Sequence, residues 1–307
     1  MKKYFKSVQV LALLVAFTMP LGLFASDITL RLNFDKGADV KYSSVTKQVI
    51  TQTVSGMQQV INQDQTFEFT VSPKGKEANG NFKAAITFNR IAVDMKMQGM
   101  EMSFDSDDDS GSAAANPQFL VFKAMVGKSV MALVSPMGEV LEVNGVDEMR
   151  SQMINEVGGG AQAEQTIGAA INDEAIKQMF AGAFVAFPEK AIRTSSSWTE
   201  NKSIENQFTL NTINNYTVLS LSNNEVKLTL SATMSTVPGN KSNMMGMEVT
   251  YNLFGTTSGT ITLNPKTGMI SESVMDQNIN GSIAGDMMGQ KLDIPMAITS
   301  KTTVKQL

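Results

Sequence analysis

Apolar and polar residues alternate along much of this chain, which is the period of a β-strand with one buried face. The clearest run places Met247, Val249, Tyr251, Leu253, Gly255, Thr257, Gly259, Ile261 and Leu263 in one phase. Polar residues from Glu248 to Thr262 stand between them, with Phe254 the exception. Unbroken, such a strand would span about 50 Å at roughly 3.3 Å per residue, and Gly255 and Gly259 are expected to bend or bulge it. Val226, Leu228, Leu230, Ala232 and Met234 form a second clean face, and Leu292, Ile294, Met296 and Ile298 a third. Phe82, Ala84, Ile86 and Phe88 alternate in one phase, and Ile91, Val93, Met95 and Met97 in the other. That slip predicts a β-bulge near Asn89–Arg90.

Turn signals punctuate these runs. Ser72-Pro73-Lys74-Gly75 and Ser135-Pro136-Met137-Gly138 fit a type I turn, with Pro presetting φ at the second position and Gly suited to the fourth. Asn264-Pro265-Lys266-Thr267-Gly268 is one residue longer, and together they predict three hairpins. Residues 130–143 and 260–274 look loosely alike around their turns, as an internal duplication would. The middle of the chain changes period. Asp147 is expected to cap a helix carrying Met149, Met153 and Val157, ended by Gly158-Gly159-Gly160. A second helical stretch carries Ile167, Ile171, Ile176, Met179, Phe180, Phe184 and Phe187, with Asn172-Asp173 able to recap it and Pro188 to stop it. Residues 103–116 are small and acidic and are expected to form a mobile loop. Strands, then helices, then strands argue for an α+β, mainly β fold: a long, curved, half-barrel-like antiparallel sheet packed on a central helical segment. The expected division is a signal peptide at 1–26, a β-rich half at 27–145, a helical segment at 146–187 and a β-rich half at 188–307, with 27–307 forming one domain.

The first residues sharpen the picture. Lys2, Lys3 and Lys6 precede an apolar stretch from Val8 to Leu23, and the small residues Ala25 and Ser26 follow, which is the order of a cleavable export signal. Cleavage is expected after Ala25 or Ser26, placing the mature protein in the periplasm or outside the cell. The apolar stretch is shorter than the ~20 residues of a comfortable bilayer span, and no later segment is long and apolar enough to cross a membrane as a helix. The absence of cysteine excludes a lipoprotein anchor and disulfides. Without the three lysines of the leader, the net charge of −4 becomes about −7 and no basic stripe remains, so nucleic acid is not an expected partner. Aromatic residues are few and the 22 methionines are expected to fill core positions in their place.

The chain also lacks histidine, so histidine triads, cysteine nucleophiles and His/Cys zinc sites are all excluded. An enzyme would have to work with carboxylates, Lys, Ser or Tyr. Gly127-Lys128-Ser129 ends like a phosphate-binding loop, but Phe122 stands where the motif needs Gly. Ser44-Val45-Thr46-Lys47 and Lys266-Thr267-Gly268 match two motifs of penicillin-recognising enzymes, yet no Ser-Asp-Asn lies between them. Asp105, Asp107 and Asp109 have the opening spacing of a calcium loop, but Gly111 comes one residue late and no bidentate Glu follows; a solvated acidic loop is the plainer reading. Met95, Met97, Met100 and Met102, with Met244, Met245, Met247, Met287 and Met288, offer thioethers that suit Cu(I). The same residues suit core strands, or an adaptable apolar mouth. Ser195-Ser196-Ser197-Trp198 holds the single tryptophan, an anchor at a strand start.

Four segments carry a resemblance: Leu30 to Gly37; Val126-Gly127-Lys128-Ser129 running into Ser135 to Val140; Phe187-Pro188-Glu189-Lys190 followed by Ser197-Trp198; and Thr267-Gly268-Met269-Ile270. Together they resemble an uncharacterised family of secreted, β-rich bacterial proteins, a domain of unknown function. Members usually carry Gly-Asp before the tryptophan, where this chain has Ser196-Ser197. The resemblance implies export and a β-rich fold, and it transfers no catalytic residue. The leading functional expectation is a non-enzymatic, cofactor-free exported protein that binds a hydrophobic ligand or lipid. Met247, Val249, Tyr251, Leu253, Ile176, Phe180 and Phe184 are its candidate wall residues, and they suit a dry core equally well. The alternatives are a structural or assembly component of the envelope or a secreted matrix, a calcium- or copper-binding protein, and a carboxylate-based enzyme for which no residue pair is nominated.

Overall fold

The computed structural model of the protein describes residues 27–33, 37–108, 117–205, 209–239, 241–244, 247–287 and 290–307. The expected signal peptide, Asp109, Met245 and Met288 lie outside them. The first half holds β1 (Val40–Val54), β2 (Met57–Lys76), β3 (Phe82–Met97), β4 (Met100–Asp105), α1 (Pro117–Met125), β5 (Ser129–Val134) and β6 (Val140–Asn144). Three helices follow, α2 (Val146–Glu156), α3 (Ala161–Ala170) and α4 (Asp173–Ala181). The second half holds β7 (Ser197–Glu205), β8 (Thr209–Leu221), β9 (Val226–Thr236), β10 (Lys241–Met244), β11 (Met247–Leu263), β12 (Ile270–Met287) and β13 (Gln290–Gln306). All thirteen strands join one antiparallel sheet, in the order β6-β5-β3-β2-β1-β13-β12-β11-β9-β8-β7, with β4 on β3 and β10 on β11. Among the described residues β6 and β7 do not meet, so the sheet is open rather than a closed barrel.

Register explains which residues are buried. Tyr42 stands opposite Phe69, Phe69 opposite Phe88, Val304 opposite Ser44, and Leu228 opposite both Ile261 and Val218. These residues therefore share one face of the sheet, and most of them lie in the main apolar core. The opposite face bears Asp64, Lys47, Lys301, Asp276, Ser258 and Ser231, in register across six neighbouring strands and all exposed. On the core face Phe180 of α4 sets its ring 6.1 Å from Phe69 and 5.5 Å from Phe88. Tyr42 stacks on Phe69 at 5.4 Å and donates its hydroxyl to the Ile270 carbonyl at 2.9 Å, so its one polar atom is satisfied inside the core.

Several local expectations hold. Glu68 pairs with Arg90 and Phe69 with Phe88, so Asn89 is the bulged residue, and its side chain accepts a 2.7 Å bond from Thr70. Asn172 caps α4 by accepting from the Ala175 amide at 2.9 Å. Others are corrected. Residues 72–75 make no turn: β2 continues to Lys76 with an irregularity between Pro73 and Gly75, and the chain reverses through 77–80. Asp147 does not cap α2, whose N-cap is Gly145; it sits in the first turn, where a carboxylate suits the helix dipole, and pairs with Arg150. The expected loop at 103–116 begins as strand, since Ser103, Phe104 and Asp105 belong to β4. β11 runs through Gly255 and Gly259 with no shift of register before Thr262. Those glycines instead admit close approach of β12: a Cβ at Gly259 would stand 2.0 Å from the Val274 carbonyl oxygen.

The turns at 135–138 and 264–268 hold the same short segment. The Leu32 amide donates to the Pro136 carbonyl at 2.8 Å, and the Asn33 amide to the Thr267 carbonyl at 2.9 Å. Gly138 and Gly268 have φ of +83° and +71°, and an added Cβ would lie 2.0 Å from the Val185 carbonyl oxygen and 2.6 Å from that of Arg31. Gly56, with φ of +77°, has open space instead. Gly56→Ala is therefore expected to cost about 1 kcal/mol of stability, from backbone conformation alone. Gly138→Ala and Gly268→Ala should each cost at least twice as much, because backbone must also shift. Equilibrium urea unfolding checks this, and equal losses at the three sites would remove the tethering role of the two turns.

Candidate functional site: an apolar chamber between sheet and helix α4

The core face and α4 do not close completely. Between them lies a chamber of about 350 Å³, within the usual range for small-molecule pockets. Its sheet wall comes from Phe67 and Phe69 of β2, Phe88 of β3, Leu230 of β9, Ile261 of β11, Met275 of β12 and Val304 of β13. Its helical wall is Met179 and Phe180 of α4, with Gly182 to Val185 following. The polar contributions are few: Ser44, Tyr216, Ser273 and Thr302. Met179, 40% exposed, and Gly182 are the exposed residues of this lining. The sheet wall arises because alternate residues of eight adjacent strands share a phase.

Of the residues nominated from sequence, Phe180 and Phe184 line the chamber. Ile176 is fully buried in the core without lining it. Val249 and Tyr251 are buried outside the main core cluster, while Leu253 is half-buried. There the Thr236 hydroxyl donates to the Tyr251 carbonyl at 2.7 Å and accepts from the Leu253 amide at 2.9 Å. Met247 opens β11, and its side chain lies outside the described part. The residue that β11 gives the chamber is Ile261, in the same phase as Tyr251 but ten positions on, about 33 Å along an extended strand. The structure therefore brings together Phe180, Phe184 and the far end of β11, not the near end. Phe88, Leu230 and Ile261 were legible as alternating positions, and Met179 as part of an apolar helix face. Phe67, Phe69 and Tyr216 were not singled out from the sequence.

Beside the chamber lies a polar pocket of about 240 Å³, and the two share Gly182, Phe184 and Tyr216. The Tyr216 ring stacks on Trp198 at 5.1 Å, and the Trp198 indole donates to the Ala186 carbonyl at 2.9 Å. Trp198 is thus half-buried and anchored just inside the start of β7. Glu200 Oε2 accepts from Asn214 at 3.0 Å and from the Tyr216 hydroxyl at 3.3 Å. Burial, and then the Glu200 charge, push the Tyr216 hydroxyl well above its ordinary pKa, so it remains a donor at physiological pH. A third groove, of about 340 Å³, crosses the opposite face beside the exposed pairs Lys47–Asp64 at 3.5 Å and Lys301–Asp276 at 4.0 Å. Such pairs contribute little.

The acidic stretch is partly committed. Arg90 holds both carboxylate oxygens of Asp105, at 3.0 and 2.5 Å, and also meets Glu68 at 3.1 Å and Asp107 at 3.4 Å. Asp109 lies outside the described residues, and among those described no group of three or more acidic residues is placed to hold a metal. Met95 and Met102 stand opposite each other, as do Met97 and Met100.

A family model describing a family of unknown function, DUF6263, matches residues 79–270, more than half of the chain. No curated sequence matches it. Among solved structures, one of lipovitellin, concerned with lipid–protein interactions, aligns with a TM-score of 0.48 at 10% identity over 90% of this chain; the chain spans 25% of its length. OccK7 (OpdD) of Pseudomonas aeruginosa aligns at 0.29 with 5% identity, over 88% of this chain and 99% of that one. An outer membrane channel of Pseudomonas putida F1 aligns at 0.24 with 6% identity, over 93% and 98%. These scores lie too low to carry an argument about function.

The hydrogen bonds from Arg90 hold the Asp105 carboxyl below its ordinary range. A depressed carboxyl pKa contributes stability that is present above the unfolded value, about 3.9, and lost as pH falls through the folded value. Arg90→Met should therefore unfold more easily than the parent at pH 5 to 7, and the gap should close progressively below about pH 3.9. Urea midpoints across that range check this; a gap independent of pH would show that Arg90 acts through packing alone. The match over residues 79–270 identifies the chain as a member of the family of unknown function DUF6263.

Proposed function

We propose that this protein is an exported, non-enzymatic carrier that holds one hydrophobic or lipid-like molecule in the chamber beneath α4. The observation that carries the reading is the chamber itself. Apolar side chains surround a space whose lining includes the exposed Met179. Apolar wall left in water is unfavourable at roughly 25 cal/mol per Å², and an apolar guest recovers that free energy. In this reading the sheet curves as an open half-barrel about the helical segment, and the helices form the side through which the guest is loaded. The export part of the proposal rests on the order of lysines, apolar run and small residues at 1–26, and it places the carrier in the periplasm or outside the cell.

The test is to purify the protein from its native envelope, measure its intact mass, and analyse an organic-solvent extract by mass spectrometry. A mass lacking residues 1–25 or 1–26, together with one defined apolar compound per chain, is the expected outcome. Met179→Asp places a charge at the rim without disturbing the buried core, and should lower the affinity for an apolar fluorescent probe roughly tenfold. A blank extract from folded protein, with probe binding unaffected by the substitution, would overturn the carrier reading. It would leave an assembly role, for which the open edge strand β7 and the exposed Ile213 and Phe254 are the observed features.

A further inference from the structure

The polar pocket beside the chamber has a composition that a purely apolar guest does not explain. Glu200 and Lys202 both line it, two positions apart on one face of β7, so their Cα atoms stand about 7 Å from each other. Both are half-buried. Glu200 is held by two neutral donors, Asn214 and Tyr216, and both bonds fall on the same oxygen, Oε2. Lys202 makes no ion pair among the described residues. One anion and one cation thus face a shared space without neutralising each other. Partly desolvated charges left in that way cost free energy until each meets its complement. The chamber shares Gly182, Phe184 and Tyr216 with this pocket, so the two spaces adjoin at the Tyr216 ring.

We propose that the guest is a single-chain amphiphile with a zwitterionic head. Its hydrocarbon chain occupies the apolar chamber, its cationic group meets Glu200, and its anionic group meets Lys202. The proposal rests on the carrier reading above and adds the class of ligand. A chamber of about 350 Å³ lies at the small end of ligand pockets, which suits one chain rather than two. The head suits a phosphate and an ammonium joined by a short linker, because the two charged residues lie two positions apart on one face of a single strand.

The experiment is isothermal titration of the full mature protein, stripped of bound lipid, with n-dodecylphosphocholine and with n-dodecanol, both below micelle-forming concentrations. The two probes carry the same chain. The zwitterionic probe should bind at least about tenfold more tightly, the scale of one charge-assisted hydrogen bond. Glu200→Gln and Lys202→Met should each bring the ratio between the probes to within about threefold. n-Dodecyl phosphate and n-dodecyltrimethylammonium, each supplying half of the head, should fall between the two. Equal binding of all four probes would overturn the headgroup assignment while leaving a carrier of apolar chains intact. Binding of none would overturn the carrier reading and this proposal together. A preference that survives both substitutions would place the head elsewhere and also overturn it.

Discussion

The pairing of β1 with β13 joins the beginning of the sheet-forming chain to its end, and the rest of the structure depends on it. Eleven registered pairs run from Tyr42–Gln306 to Gln52–Met296, and a Thr46–Thr302 hydroxyl contact of 3.0 Å crosses the seam at a sequence separation of 256. Without that seam the chain would form two separate sheets, one from β1 to β6 and one from β7 to β13, each with a further exposed edge. Loop closure grows only as the logarithm of length, so a long-range seam is thermodynamically accessible, but it is slow to form. The chamber straddles this seam. Ser44 comes from one side of it, Thr302 and Val304 from the other, and Phe67 and Met275 from the next strand out on each flank. Neither half of the chain can build the cavity alone, so the site and the one-sheet architecture are a single property.

Much of this was legible in the sequence where one physical rule dominated. The phase slip between Phe88 and Ile91 reads directly as a bulge because the side-chain period of a strand is two. The Asn172 cap reads because a short polar side chain before an apolar helix face has few other uses. Where rules competed, the reading failed. Ser72-Pro73-Lys74-Gly75 carries turn chemistry, but strand β3 offers pairing partners through Lys76, and the ladder absorbs the proline as an irregularity. Gly255 and Gly259 can signal a bend or a close approach, and only the partner strand decides between them. Helix α1 has an apolar run too short for periodicity to separate it from a buried strand. For the site, alternation identified the correct face of β11 but not which part of its length lines the chamber. That depends on where α4 sits, and no local pattern encodes it.

The border between chamber and polar pocket shows how a mostly apolar fold tolerates charge near its core. Tyr216 spans it. Its ring faces Trp198, and its hydroxyl donates outward to Glu200, while Trp198 sends its own donor to the Ala186 carbonyl. Among the described residues no buried side-chain nitrogen or oxygen lacks a partner, so the aromatic pair adds polar atoms to the interior without an unsatisfied one. Tyr216 and Glu200 are carried by neighbouring strands β8 and β7, and their placement follows from strand register rather than from loop conformation.

The two walls of the chamber differ in how firmly they are held. Every strand of the sheet wall, β2, β3, β1, β13, β12, β11, β9 and β8, is hydrogen-bonded on both sides, so displacing any one of them breaks two ladders at once. The helical wall is a nine-residue α4, capped at its start by one side chain and followed from Gly182 by irregular backbone. Local opening free energies are lowest where few cooperative hydrogen bonds must break together, which places the easier opening at α4. Its exposed residue at the chamber is Met179, an unbranched side chain that can change rotamer without leaving a polar atom unsatisfied. In the carrier reading proposed above, the sheet would set the shape of the site and the short helix would govern access to it. That arrangement follows from the order of the segments, since α2, α3 and α4 lie between the two strand-rich halves and stand outside the ladder.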